Sequence, residues 1–277
     1  MNTPRQRLVI GLAILFVVFG AAVSSLIVPM PDSSKIDLAQ KFLLPSFTHP
    51  FGTDQFGRDV LVLLMRGGLA SLLVAVLAVT IGVGIGVPLG MIAAFNRRIA
   101  DPVVMRLSDF LFAFPALLIA VLLRETFGPG LLNAIIAIGV FNIPVMTRIT
   151  YGAALQVLAR DFILAAKLSG RTPFGIAFDH VLPFLAPVLI VQITIQMALG
   201  LLAEASLSYV GLGVVPPMPS WGRMLNEAQT LLAISPQLAL FPGLAIALTV
   251  YGLSLCGDAL RDLWDLKRQR SGGFDYA

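Results

Sequence analysis

The polar and ionisable residues of this chain form no set suited to making or breaking bonds. One cysteine, Cys256, stands in an apolar run, and the two histidines, His49 and His180, lie far apart with no metal-ligand spacing around them. No Ser/His/Asp or His/Glu group gathers at the end of an apolar segment. The phosphate-cradling pattern Gly-x4-Gly-Lys-Ser/Thr is absent. The informative residues instead fill a polar interruption between the fourth and fifth apolar stretches. It reads Leu164-Ala165-Ala166-Lys167-Leu168-Ser169-Gly170, then nine residues, then His180-Val181-Leu182-Pro183. Small Ala165, Ala166 and Gly170 permit close approach, and Phe174 and Phe178, four residues apart, share a helix face. These residue types suit docking and the transfer of mechanical work.

The elements that position this loop follow from composition. The chain has 277 residues, 57% hydrophobic and only 12% charged, with mean hydropathy +0.90. A soluble domain carries about 25% charge, so the pattern is that of an all-α polytopic membrane protein. The net charge of +4 does not indicate nucleic acid, because the basic residues are not interleaved with aromatics in one patch. Six stretches approach the ~20 helical residues that cross about 30 Å of hydrocarbon. They are Leu8–Val28, Leu69–Phe95, Val103–Leu123, Leu131–Thr150, Val181–Ala203 and Gln237–Gly257.

Lys and Arg set the expected orientation. With the N-terminus inside, inner segments hold Arg5, Arg7, Arg97, Arg98, Arg106, Arg148, Arg160, Lys167, Arg171, Arg261, Lys267, Arg268 and Arg270. Outer segments hold Lys35, Lys41, Arg58, Arg66, Arg124 and Arg223. Thirteen against six predicts N-in and C-in, with the 151–180 loop cytoplasmic. A cleaved signal peptide is the alternative for the first span, and it leaves the orientation of the other five unchanged.

Within the spans, Gly82, Gly86 and Gly90 recur every four residues, as a helix-packing face requires. Pro88, Pro115, Pro144, Pro187 and Pro242 each favour a kink. Arg106 and Asp109 are spaced to pair on one helix face, either as part of a gate or as an interfacial duo. Phe56–Arg66 fits an interfacial helix leading into span two, with Asp54 as its cap.

The loop itself reads as two short helices. Asp161 is placed to cap the first, which runs through Leu168 and stops at a left-handed Gly170. Thr172 then takes an N-cap position, with Pro173 first in a helix to about His180. The expected product is a helical elbow across the ends of spans four and five. A lipid-resting amphipathic helix is the alternative.

This loop resembles the coupling loop of bacterial ABC-importer permeases, written Glu-Ala-Ala, three residues, Gly, nine residues, Ile-x-Leu-Pro. Leu164 replaces the Glu and His180 the Ile, departures that resemble the peptide and nickel branch. His49-Pro50-Phe51-Gly52-Thr53-Asp54-Gln55-Phe56-Gly57-Arg58-Asp59 is similar to that branch's segment before span two. Glu204-Ala205-Ser206-Leu207-Ser208-Tyr209-Val210-Gly211-Leu212-Gly213, with Pro219-Ser220-Trp221-Gly222, resembles its signature after span five. Gly257-Asp258-Ala259-Leu260-Arg261-Asp262 resembles its C-terminal end, although Leu266 stands where Pro is usual.

The resemblance implies a multi-pass inner-membrane permease for peptides or related small solutes, nickel chelates included, working by alternating access. Its implied partners are a homologous second permease, two cytoplasmic ATPases that bind ATP and Mg, an extracytoplasmic binding protein and lipid. The chain itself would be no enzyme and hold no cofactor or metal. The implied ATPase contact comprises Ala165, Ala166, Gly170, Pro173, Phe174, Phe178, His180, Leu182 and Pro183. Glu204, Tyr209 and Trp221 in the outer segment 204–236 serve either as an outer gate or binding-protein contact, or as a structural cap. The expected organisation is an N-terminal span with an outer segment (1–68), a five-helix core (69–257) and a cytoplasmic tail (258–277). The alternative function is an ATP-independent channel or secondary carrier.

Overall fold

The computed structural model describes residues 3–27 and 36–271, with the side chains of 265–271 excepted. Val28 at the end of the first predicted span, Lys35 of the outer segments, and residues 272–277 of the tail lie outside the described residues. So do the side chains of Leu266, Lys267, Arg268 and Arg270.

Ten α-helices follow one another among these residues: α1 (Pro4–Ile27), α2 (Val60–Phe95), α3 (Ala100–Phe112), α4 (Ala116–Phe127), α5 (Leu131–Leu158), α6 (Asp161–Leu168), α7 (Pro173–Ile176), α8 (Leu182–Tyr209), α9 (Trp221–Ala228) and α10 (Gln237–Ser271). A π-helical turn, Ala177–Val181, joins α7 to α8. Five continuous helical segments are long and apolar enough to cross a membrane: Pro4–Ile27, Val60–Phe95, Leu131–Leu158, Pro173–Tyr209 and Gln237–Trp264. Helices are the form an apolar solvent demands, because each backbone donor then meets an acceptor within its own segment.

The third predicted span, Val103–Leu123, is not one straight helix. α3 and α4 meet at 77° across a short break. Pro115 lacks an N–H and disfavours helical geometry at Phe114, so α3 stops and α4 restarts. The other four in-span prolines sit inside continuous helices. No separate interfacial helix covers Phe56–Arg66, since α2 starts at Val60 and continues through span two. Its cap is Asp59, whose Oδ1 accepts from the N–H groups of Leu61 (2.8 Å) and Val62 (3.1 Å). Asp54 instead accepts from the backbone N–H groups of Phe56 (2.8 Å) and Arg58 (2.9 Å) and pairs with the Arg58 guanidinium. Asp109 pairs with Arg148 of α5 and not with Arg106, because α3 packs along α5 and turns Asp109 toward it.

α2 and α5 form the central, parallel pair. Gly82, Gly86 and Gly90 face Asn142, Met146 and Thr150 in register, with the two backbones in close contact. A methyl group on Gly86 would stand 2.6 Å from the Ile143 carbonyl oxygen. α8 lies against α2, with Gly200 beside Ala75. α1 runs antiparallel to α10: Gly11 nests on Gly252 and Cys256, and Arg7 reaches Asp262 at 3.0 Å. One apolar cluster, built on Ala94, Met146, Val157, Ile163, Ile176, Val181 and Leu185, seats α6 and α7 on the ends of α2, α5 and α8. Another, with Leu63, Leu72, Leu201, Trp221 and Ile246, closes the opposite end.

Candidate functional site

The elbow is built by local rules. Arg160 is extended (φ −87°, ψ 149°) and occupies the N-cap position of α6. Asp161 is the first helical residue and makes no capping bond, so its contribution is a charge in the first turn, where a helix dipole favours an anion. The helix ends in a Schellman arrangement. Gly170 N–H donates to the Lys167 carbonyl (3.0 Å) and Arg171 N–H to that of Ala166 (3.1 Å). This requires Gly170 at φ +77°, a conformation costly to residues with a Cβ. Thr172 Oγ1 then accepts the Gly175 N–H at 3.1 Å, and Pro173 opens α7. Arg171 and Asp179 bridge the new turn at 2.7 Å.

The second short helix does not stop at His180. The π turn carries α7 into α8, with Leu182 N–H bonded to the Ala177 carbonyl, so elbow and span form one helical segment, Pro173–Tyr209. Leu182 and Pro183 lie in the first turn of α8 and Pro183 is exposed.

The elbow has two faces. Ile163, Ala166, Ile176 and Val181 are buried against the bundle. Ala165 and Gly170 are exposed, as are Leu164, Leu168, Phe174 (73%) and Phe178 (54%). The rings of Phe174 and Phe178 sit 4.5 Å apart and make one apolar knob. His180 is half-buried beside Phe162 (6.4 Å), which also stacks on Phe184 (5.1 Å), and its Nδ1 has no hydrogen-bond partner.

At the opposite end, Trp221 and Glu204 are buried. Trp221 donates from Nε1 to the Leu64 carbonyl (2.8 Å) and from its backbone N–H to Ser71 Oγ (3.1 Å). Glu204 Oε1 accepts from Ser208 Oγ (2.6 Å), and Ser208 Oγ in turn accepts the Val214 N–H (3.2 Å). Both residues therefore tie the segment after α8 to α2 and α8. Tyr209 alone of the three has surface to offer a partner, and its carbonyl accepts from Asn226 Nδ2 (2.7 Å). The spacing of residues did not reveal Arg58, which bonds Glu227 of α9 at 2.9 Å across 169 positions. Nor did it reveal Arg148.

Residues 86–270 match the family described as binding-protein-dependent transport system inner membrane component. A glutathione transport system permease protein, GsiD, of Pectobacterium atrosepticum is 36% identical over 93% of this chain and 85% of its own. A dipeptide transport system permease protein, DppC, of Alkalihalophilus pseudofirmus is 40% identical over 80% of this chain and 73% of its own. The fold is shared with a solved chain of the inward-facing MetNI methionine ABC transporter, with TM-score 0.62 and 22% identity over 73% of this chain and 96% of that one. These likenesses set aside an ATP-independent channel or secondary carrier. With its capped elbow and bundle of apolar helices, the chain belongs to the binding-protein-dependent transport system inner membrane components, the permeases of ABC importers.

Proposed function

We propose that this permease carries short peptides inward, glutathione and dipeptides being the cargo class of its relatives. It forms half of the pathway, with a homologous permease as the other half. The N-terminus and C-terminus lie in the cytoplasm, in line with the excess of Lys and Arg on the elbow's side. Two ATPases bind ATP and Mg and grip the elbow, and a binding protein delivers cargo at the opposite end.

The observation that carries this reading is the exposed Phe174–Phe178 knob on a rigidly capped elbow that runs unbroken into α8. An apolar knob in water is costly unless a partner groove takes it. Ala165 and Gly170, both exposed, let that groove come close. Leu182 and Pro183 pass the motion into the span, while Ala166 and His180 hold the elbow to the bundle. The glycine face of α2 keeps the core rigid, so that the elbow's motion is not absorbed there.

The test is reconstitution with the ATPases, partner permease and binding protein, followed by Gly170→Arg. The variant adds a bulky charge at the docking face in a left-handed position, so loss of ATPase copurification and of dialanine uptake is expected. Unchanged copurification and uptake overturn the assignment of the elbow.

A further inference from the structure

Among the described residues, Glu204 is the charged residue buried most completely, with no exposed surface. Its Oε1 accepts from Ser208 Oγ at 2.6 Å, but its Oε2 is buried with no hydrogen-bond partner. The groups that face the carboxyl are the hydroxyls of Ser208, of Ser71 in α2 and of Ser220 at the N-cap of α9, and no basic side chain is among them. Arg58 and Arg223, which bind α9 to the start of α2, are committed to Asp54 and Glu227. A carboxylate kept from water without a counter-charge is expensive. The N-terminus of α9 does not supply that charge. The helix has only eight residues, and its first-turn N–H groups at Trp221 and Arg223 are taken by Ser71 and Ser220.

The groups around Oε2 are all oxygen donors, and they are held in place. Ser208, Ser71 and Ser220 each accept one backbone N–H, from Val214 (3.2 Å), Trp221 (3.1 Å) and Arg223 (3.2 Å). Each hydroxyl oxygen keeps a second lone pair. The chain presses close on both sides: a methyl group on Gly213 would run into Ser208 Oγ, and one on Gly222 into the Ala205 carbonyl oxygen. Neither position could carry a basic side chain in place of an ion. Oxygen ligands select a hard cation. One carboxylate balances one positive charge, and among the described residues no three of His, Cys, Asp and Glu gather to hold a divalent metal. Magnesium also keeps several waters, which a site closed to solvent does not offer. Four oxygens suit sodium better than potassium, which needs a larger ring of ligands.

We propose that Glu204 Oε2 and the hydroxyls of Ser71, Ser208 and Ser220 bind a sodium ion, where the family resemblance implied a chain without metal. One ion then touches α2, α8 and the N-cap of α9 at once. It balances the buried charge and adds to the ties between these helices.

The test follows thermal unfolding of the purified full-length permease in mixed micelles as sodium chloride is raised. Choline chloride holds the ionic strength constant, and potassium chloride is the parallel series. Sodium is expected to raise the midpoint saturably, by about 3 °C or more once it exceeds its dissociation constant about tenfold, and potassium to act more weakly. Glu204→Gln keeps the side chain's volume and removes its charge, and is expected to lose the sodium response. Ser220→Ala removes a ligand and is expected to need about tenfold more sodium for half the rise. Binding of radioactive sodium to the wild type in the same micelles is expected to saturate at a single ion per permease, and needs no variant. Equal midpoints in sodium and choline, an equal response to potassium, or wild-type permease that binds no sodium overturns the proposal. So does a sodium response retained in Glu204→Gln, or an unchanged sodium requirement in Ser220→Ala.

Discussion

The parallel seam between α2 and α5 allows a sharp test at Gly86. Its added methyl group would meet the Ile143 carbonyl oxygen at 2.6 Å, Met146 Cβ at 2.7 Å and Thr147 N at 3.1 Å. All three belong to or adjoin the α5 backbone, so no side-chain rotation relieves them. Moving the oxygen from 2.6 to an ordinary 3.4 Å requires the helices to part by about 0.8 Å. A gap of that size forfeits about a quarter to a half of each neighbouring dispersion contact. The paired turns at Gly82 and Gly90 are affected with it. Overpacking of this kind costs about 1–3 kcal/mol, against a gain of about 1 kcal/mol from replacing helical Gly by Ala. Gly84 supplies the control: it is on the same helix, and its added methyl group meets nothing within 4 Å. The propensity gain cancels between Gly84→Ala and Gly86→Ala, so their stabilities should differ by about 1–3 kcal/mol. Equilibrium unfolding of the purified permease in mixed micelles measures this. Equal stability of the two variants would refute the close seam.

Three further outcomes follow from contacts elsewhere. Trp221→Ala empties a buried site and strips the indole anchor of α9 on the Leu64 carbonyl, the backbone bond to Ser71 remaining; a loss of about 3–5 kcal/mol should appear as faster protease cleavage between Val210 and Ser220. Thr172→Ala removes the α7 cap, and a loss of about 1 kcal/mol should raise amide hydrogen exchange at Gly175 about fivefold. Asp59→Ala removes both the α2 cap and the 2.8 Å contact with His49, whereas Asp59→Asn retains an N-capping side chain. The thermal midpoint should therefore fall further for Ala than for Asn, by about 1 kcal/mol of stability.

Much of the elbow was legible because its determinants are local. Gly170, Thr172 and Pro173 act within four residues of themselves, and α6 ends at Leu168 as read from sequence, although Arg160 and not Asp161 takes its cap position. The glycine interval in α2 was equally visible, although which helix it meets was not. Tertiary packing decided the rest. Pro115 signals a break, but only the packing of α3 on α5 and of α4 beyond it fixes a 77° turn. Asp54 and Asp59 are both capping residues by type, and the Arg58 guanidinium claims the first. Arg106 lies three residues from Asp109, yet the partner chosen is 39 positions away, because the two helices run side by side. For Glu204 and Trp221 the sequence left a partner contact and a structural cap both open, and only packing shows the two side chains buried, with Trp221 bonded to Ser71 and Leu64, 150 and 157 positions away.

The most direct measurement of the elbow's role is dialanine uptake by the reconstituted importer carrying Phe174→Ala and Phe178→Ala together. Both side chains are exposed, so the variant should insert and fold as the wild type does. If the knob is the ATPase contact, binding-protein-stimulated ATP hydrolysis and uptake should be lost together, with the permease still in the membrane. Uptake and stimulated hydrolysis at wild-type levels would contradict coupling through the elbow.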